Sequence, residues 1–212
     1  ETAKTHKKAI VIGGGLLGLE AANGLMIQGM DVSVVHRNNT LMSQQLDQAA
    51  ADLMRAELEE KGMHFLMNHH TEALLGDERV EKVRFKDGSE VEADLVIMAI
   101  GVRPNIKLAN ASGIQCDRGI LVDDTLQTFT PNIYAVGECV QHRKKTFGLV
   151  APLFEQAKVC ANHLFDMGIS SYVSNVTSTK LKVTGINLFS AGDYEGDEGT
   201  ESIVFKDSAR HI

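Results

Sequence analysis

The sequence predicts an α/β fold assembled from strand-helix-strand units. Three neighbouring observations predict it: an apolar run that ends in glycines (residues 9–12), an apolar stretch straight after them (16–27), and a β-branched run (31–35). An unbroken apolar strand reads as one buried on both faces of a parallel sheet, and the next stretch carries enough apolar residues for a buried helix. The three make a complete unit in under 30 residues, whose crossover is expected to be right-handed.

The remaining elements follow in order. Ser43 is placed to N-cap a second helix, on which Leu46, Ala49, Ala50, Leu53, Met54, Glu57 and Leu58 trace a mostly apolar stripe and which Gly62 stops. Residues 80–85 and 90–94 flank an Asp87-Gly88 turn as an antiparallel hairpin, and 95–100 returns as a buried strand, so a β-meander follows the helical units. From Gly101 a second α/β layer begins: an apolar segment to Gly113, a strand at 120–122, a turn at Pro131-Asn132, a strand at 133–136 and a Gly137-Glu138 step. Pro152 suits the first turn of a helix running to about Met167 with Gly168 as its cap. Strands are then expected at 181–183, 187–191 and 203–205. Between the last two, Asp193, Glu195, Asp197, Glu198 and Glu201 read as a solvated hairpin tip, with a docking surface for a basic partner as the alternative.

The chain has 212 residues, enough for one large domain or two small ones. Lys and Arg number 21 against 28 Asp and Glu, so the net charge of -7 repels nucleic acid and anionic membrane surfaces, and neither is an expected partner. Three cysteines without a CxxC pair encode neither a disulfide framework nor a zinc knuckle, and a cytoplasmic setting is expected. No apolar run approaches the roughly 20 residues that span a bilayer. The basic start resembles a signal peptide, but Gly13, Gly14, Gly15 and Gly18 interrupt its apolar part and Glu20 closes it. The chain begins at Glu1 without Met, which leads us to expect a piece of something longer. His64, His69 and His70 lack the spacing of a helical metal pair, and no metal site is expected.

The chemistry concentrates at two places. Gly13-Gly14-Gly15-Leu16-Leu17-Gly18 fits G-x-G-x-x-G between a strand and a helix. Gly13 suits the tight turn, Gly15 the close approach of backbone to a pyrophosphate, and Gly18 close helix-strand packing, while the helix N-terminus favours the phosphate charge. At the end of the second strand, where an acid would hold the ribose 2′-hydroxyl of NAD, the chain has His36-Arg37. That pair leaves NAD and NADP open, since a guanidinium can grip a 2′-phosphate. Glu20, an acid among apolar neighbours on the first helix, reads equally as a polar helix face or as a group facing a cofactor or a buried lysine. The second place is the Gly137-Glu138 step, where a carboxylate can accept hydrogen bonds from a polyol; a structural turn is the alternative.

KAIVIGGGLLGLEAANGL, IGVRPN, TFTPNIYAVGEC and FGLVAP, in this order, resemble the pyridine-nucleotide-dependent flavoprotein oxidoreductases. LMSQQLD and KLKVTGINLFSAGD resemble, more narrowly, the large subunit of NAD(P)H nitrite reductase. The resemblance implies a Rossmann-like dinucleotide-binding domain with its β-meander at 1–103, the C-terminal part of an FAD-binding domain at 104–169, and the start of a small α+β C-terminal domain at 170–212. It implies that Gly13, Gly15 and Gly18 bind the pyrophosphate of NAD(P)H and that Glu20 lies near the nicotinamide and flavin rings. The same resemblance implies that Gly101 lines the nucleotide cleft, that Glu138 after Gly137 binds the FAD ribityl chain where the family usually has Asp, and that Ala151 offers backbone contacts to the flavin. The implied activity is hydride transfer from NAD(P)H to FAD in the parent enzyme, with electrons passing on to metal centres and nitrite. The family's FAD-binding glycine motif is absent from this chain, as are the cysteines that hold siroheme and an iron-sulfur cluster. Expected partners are therefore nicotinamide dinucleotide, flavin, the rest of a parent chain or an electron-acceptor domain, and further copies of the chain. The alternatives are a rubredoxin- or ferredoxin-reductase type flavoprotein and, for the isolated chain, a nucleotide-binding or assembly module without turnover.

Overall fold

The computed structural model describes residues 6–165, 167, 170–175, 178–183, 185–193, 199–201 and 203–205. In chain order the elements are β1 (Lys8–Ile12), α1 (Leu16–Ile27), β2 (Asp31–His36), α2 (Gln48–Glu60), β3 (His64–Met67), β4 (Thr71–Leu75), β5 (Lys82–Phe85), β6 (Glu90–Glu92) and β7 (Leu95–Met98), then α3 (Lys107–Ala111), β8 (Ile120–Val122), β9 (Val140–His142), β10 (Lys145–Thr146), α4 (Val150–Leu164), β11 (Ser178–Val183) and β12 (Ile186–Ala191). They divide into two compact units: residues 1–101 with 178–212, and residues 102–177.

The first unit is built on a parallel sheet of order β3-β2-β1-β7. The chain leaves β1 toward β2 and β3, then returns on the other side as β7, so the strand order reverses beside β1. In open α/β sheets the crevice at the carboxyl end of such a reversal is where ligands bind. The apolar run of β1 is explained by its two covered faces. Ala9 and Val11 join Val32, Val34, Leu19, Ala22, Met54 and Leu58 in one core cluster, whereas Ile10 and Ile12 join Val35, Val83, Phe85 and Ala93 in another. The second cluster seats the antiparallel β4-β5-β6 meander, whose β5–β6 hairpin turns at Asp87-Gly88 as expected. The antiparallel β11–β12 hairpin contributes Leu181 and Ile186 to the first cluster and lies against α1. Even so, α1 buries only Gly18, Leu19 and Ala22 and leaves Leu17 and Ile27 exposed, so it is not the buried helix that its apolar composition predicts: one stripe faces the sheet and the hairpin and the rest faces solvent.

In the second unit β10-β9-β8 form a small sheet. Its core gathers Val122, Leu126, Val140, Cys160 and Tyr172. Helix α4 starts at Val150, so Pro152 lies in the first turn, where its missing N–H goes unneeded. No described helix is long and apolar enough to cross a membrane.

Five further local expectations need correction. The strand expected at 95–100 ends at Met98 and is part-buried, not buried, with Met98 and Ile100 exposed. Asp47 caps α2, accepting the Ala50 N–H at 2.8 Å, because residues 41–45 are spent in a turn that holds Ser43 ahead of the helix. Residues 133–136 form a single bridge, Gln127 to Tyr134, and no strand: Leu126 with φ +66° and Gly137 with φ +99° bend the chain on both sides. Residues 203–205 pair with no strand among the described residues and are largely solvent-exposed. Helix α4 ends at Leu164 with Phe165 as its C-cap, short of Met167. The expected cap at Gly168 and the acidic positions Glu195, Asp197 and Glu198 fall outside the described residues.

Candidate functional site

The glycine turn joins β1 to α1 at the carboxyl edge of the sheet, and each of its glycines has a separate geometric reason. Gly13 donates its N–H to Val35 O at 2.8 Å and has φ +120°; a Cβ there would lie 2.3 Å from Ala99 O, so the turn passes directly against the end of β7. A Cβ on Gly18 would lie 1.8 Å from Gly13 O, which means that α1 rests on the turn itself. Gly15 is the opposite case. It is the N-cap of α1, no side chain caps the helix there, and its Cβ direction meets nothing within 4 Å. An open approach to uncapped helical N–H groups is a cradle for a phosphate group.

His36 and Arg37 part company at the end of β2. The His36 ring is half-buried and accepts the Gly14 N–H at Nδ1 (3.1 Å), while its Nε2 lies 3.1 Å from Thr40 O. Burial pushes the imidazole pKa down, partly offset by the hydrogen bond to Thr40 and reinforced by the Arg37 charge. Arg37 is exposed and has no ion pair among the described residues. Glu20 is exposed on α1, and Gly101 is exposed with φ +99°.

Gly137, Glu138 and Ala151 belong to the second unit. Glu138 is exposed and, with Val102, Arg103, Pro104, Thr146, Phe147 and Gly148, lines a cavity of about 140 Å³. Ala151 is exposed in the first turn of α4, whose N-cap, Leu149, makes no side-chain capping bond. Gln156 is a site residue that the sequence patterns did not single out. It is fully buried on α4 and its Oε1 accepts the Gly137 N–H at 2.9 Å, tying the Gly-Glu step to the helix. The readable signal was a polar residue in the buried stripe Pro152, Gln156, Cys160.

Also missed was a charged cluster in the same unit. Asp124 accepts from Arg143 Nε and Nη2 at 3.0 and 2.6 Å and sits 2.8 Å from the Nε2 of buried His142. Arg143 first, then His142, holds the Asp124 carboxyl below the usual range. A depressed carboxyl pKa contributes stability that is present at neutral pH and lost as pH falls below about 4, through the lowered value. Asp124→Asn is therefore expected to lower the melting temperature at pH 7 and to flatten its acid dependence below pH 4. A variant that keeps the wild-type acid profile would remove Asp124 from that role.

A parallel sheet that carries a glycine turn and an open helix N-terminus at its strand-order reversal defines the Rossmann-like class of α/β proteins. Within that class, the chain belongs to the pyridine nucleotide-disulphide oxidoreductase family, whose model matches residues 1–163. Residues 178–212 match the rubredoxin NAD+ reductase C-terminal domain. The chain is 55% identical over 201 residues to a nitrite reductase [NAD(P)H] of Bacillus subtilis, covering 95% of this chain and 25% of that protein. It is 50% identical over 205 residues to the assimilatory nitrate reductase electron transfer subunit of the same organism, covering 97% of this chain and 27% of that one. A solved NAD-dependent persulfide reductase from A. fulgidus superposes with a TM-score of 0.84 at 28% identity, over 92% of this chain and 37% of the other. The chain thus spans about a quarter of the length of these two curated relatives.

Proposed function

We propose that the first unit is the nicotinamide-nucleotide site of an NAD(P)H-dependent flavoprotein oxidoreductase of the nitrite-reductase type, and that the second contributes part of its flavin site. The observation that carries this reading is the glycine turn: two glycines made obligatory by backbone contacts, and between them one, Gly15, facing open space. When bound, the nicotinamide supplies a hydride and the flavin accepts it, so the protein's share is binding and orientation. Gly13 and Gly18 shape the turn, the N–H groups at the start of α1 receive the pyrophosphate, and Arg37 is free to read a 2′-phosphate. Gly101 would border the nucleotide and Glu20 would serve its nicotinamide end. Glu138, next to the Gly137 N–H that Gln156 accepts, would accept from the flavin polyol chain, and the uncapped first turn of α4 at Ala151 would offset its negative charge.

In the whole protein, we assign the electron path to metal centres and nitrite in parts of the sequence outside this chain. The isolated chain binds nucleotide without turnover, and its three free cysteines suit a cytoplasmic setting. A second reading, a rubredoxin-reductase type flavoprotein, is favoured by the match at residues 178–212.

Titrating the chain against NADH and NADPH separately, followed by nicotinamide fluorescence, tests the reading. There is no tryptophan to interfere. Saturable binding is expected, and Arg37→Ala should weaken NADPH selectively by about tenfold to a hundredfold, the worth of a charged hydrogen bond. An equal loss for both nucleotides would take the 2′-phosphate away from Arg37, and no binding of either would overturn the reading itself.

A further inference from the structure

We infer that His36 is a positioning residue: its neutral ring is a clasp that holds the glycine turn in its phosphate-binding shape and does not itself contact the nucleotide. The inference rests on the nucleotide site proposed above.

The geometry allows one protonation state. A backbone N–H is an obligatory donor, so the bond from Gly14 requires Nδ1 to be a bare acceptor. The other nitrogen faces the Thr40 carbonyl, an obligatory acceptor, so Nε2 must carry the proton. Those two partners use the whole hydrogen-bonding capacity of a neutral imidazole, leaving none for a ribose or a phosphate.

What the clasp joins is the reason it matters. Gly14 is buried, and its carbonyl in turn accepts the Met42 N–H at 2.9 Å, so both polar groups of that residue are tied to the end of β2 and the segment after it. A Cβ on Gly14 would lie 2.4 Å from the Leu41 side chain and 3.1 Å from the His36 ring, which shows how closely the segment closes over the turn. Thr40 continues the chain of bonds by donating its hydroxyl to Gln48 at the start of α2. The turn that offers N–H groups to a pyrophosphate is thus braced, through His36, against the loop that begins at Arg37. A pre-shaped site binds more tightly because it avoids ordering cost on association.

Protonation undoes the clasp. A proton on Nδ1 replaces the acceptor with a donor aimed at the Gly14 N–H. Arg37 is the charged group bearing on the ring. Gly14, Thr40 and Leu41, which close around it, bring no charge, and His69 is joined to His36 through its backbone N–H alone. Burial already disfavours the charged form, so the clasp is intact at neutral pH and opens as pH falls below the ordinary histidine value of about 6.5.

The test uses nitrogen NMR of the His36 ring and the Gly14 amide, together with NADH and NADPH affinities from pH 5.5 to 8. The expected spectrum at pH 7 is a neutral Nε2–H ring with a Gly14 amide that is protected from exchange and shifts with the His36 titration. His36→Ala should expose that amide and weaken both nucleotides by the same factor, about fivefold to thirtyfold, with their ratio unchanged. His36→Asn, which keeps a neutral acceptor within reach of Gly14, should recover much of the affinity and lose the pH dependence. An Nδ1–H ring, an unprotected Gly14 amide, or a His36→Ala variant that alters the NADPH to NADH ratio would overturn the clasp. Failure of the wild type to bind either nucleotide strikes the functional reading, and the Gly14 and ring signals still decide the clasp.

Discussion

Gly18→Ala is expected to destabilise the first unit by about 3 kcal/mol or more, the upper end of the overpacking range, because the added methyl would lie 1.8 Å from the backbone oxygen of Gly13. No side-chain rotation relieves a clash between a helix Cβ and a turn carbonyl, so α1 or the turn must move away from the sheet. At the usual conversion for a unit of this size the melting temperature should fall by on the order of 10 °C. Gly15→Val supplies the contrast. Its backbone is extended, φ -88° and ψ -179°, a conformation open to any residue, and the space beyond it is empty. Valine there should leave the melting temperature within a few degrees of wild type while reducing nucleotide affinity at least tenfold, since its methyls occupy the approach to the N–H groups. The pair separates a glycine kept for packing from one kept for ligand access. Wild-type affinity in the valine variant would remove the phosphate site from Gly15, and an unperturbed melting curve in Gly18→Ala would show that the turn yields.

Phe85→Ala is the second large effect, a loss of roughly 3–5 kcal/mol. The ring is fully buried among Ile10, Ile12, Val35 and Val83, and it meets the edge of His69 with centroids 4.9 Å apart and planes at 71°. It joins the meander to the face of β1 and β2 that the helices do not cover. Against a total stability of about 5–15 kcal/mol the cavity is costly. The functional consequence runs through β7, which the meander returns to its place beside β1 and whose end touches Gly13. Chemical denaturation should show a lower midpoint, with nucleotide affinity falling in parallel. A loss below about 1 kcal/mol would mean that the meander collapses onto the vacancy.

Much of the site's backbone is legible in the residues themselves. The strand, glycine turn and helix of residues 8–27 lie where the apolar pattern puts them, as do the Asp87-Gly88 hairpin and the stop at Gly62, which has φ +93°. Each of these depends on residues adjacent in sequence: an apolar period, a positive φ, a missing Cβ. The capping of α2 is legible in kind but displaced by four residues, because Ser43 and Asp47 are both capping types and a turn at 41–45 chooses between them. Gln156 leaves a trace as a polar residue in an apolar stripe, but its partner, Gly137, is 19 positions away.

From the residues alone one can read a dinucleotide-type turn between a buried strand and an apolar helix, and the family to which that turn belongs. Three-dimensional packing was needed to show that Gly13 and Gly18 are held by backbone contacts while Gly15 stays open, and that β11 lies against α1. It alone separated His36 from its neighbour, turning one toward Gly14 and leaving Arg37 in solvent. The reason is physical: conformational preference and period act over a few residues, whereas a hydrogen bond between positions 14 and 36 exists only once β1 and β2 pair in register, Ile12 opposite Val35.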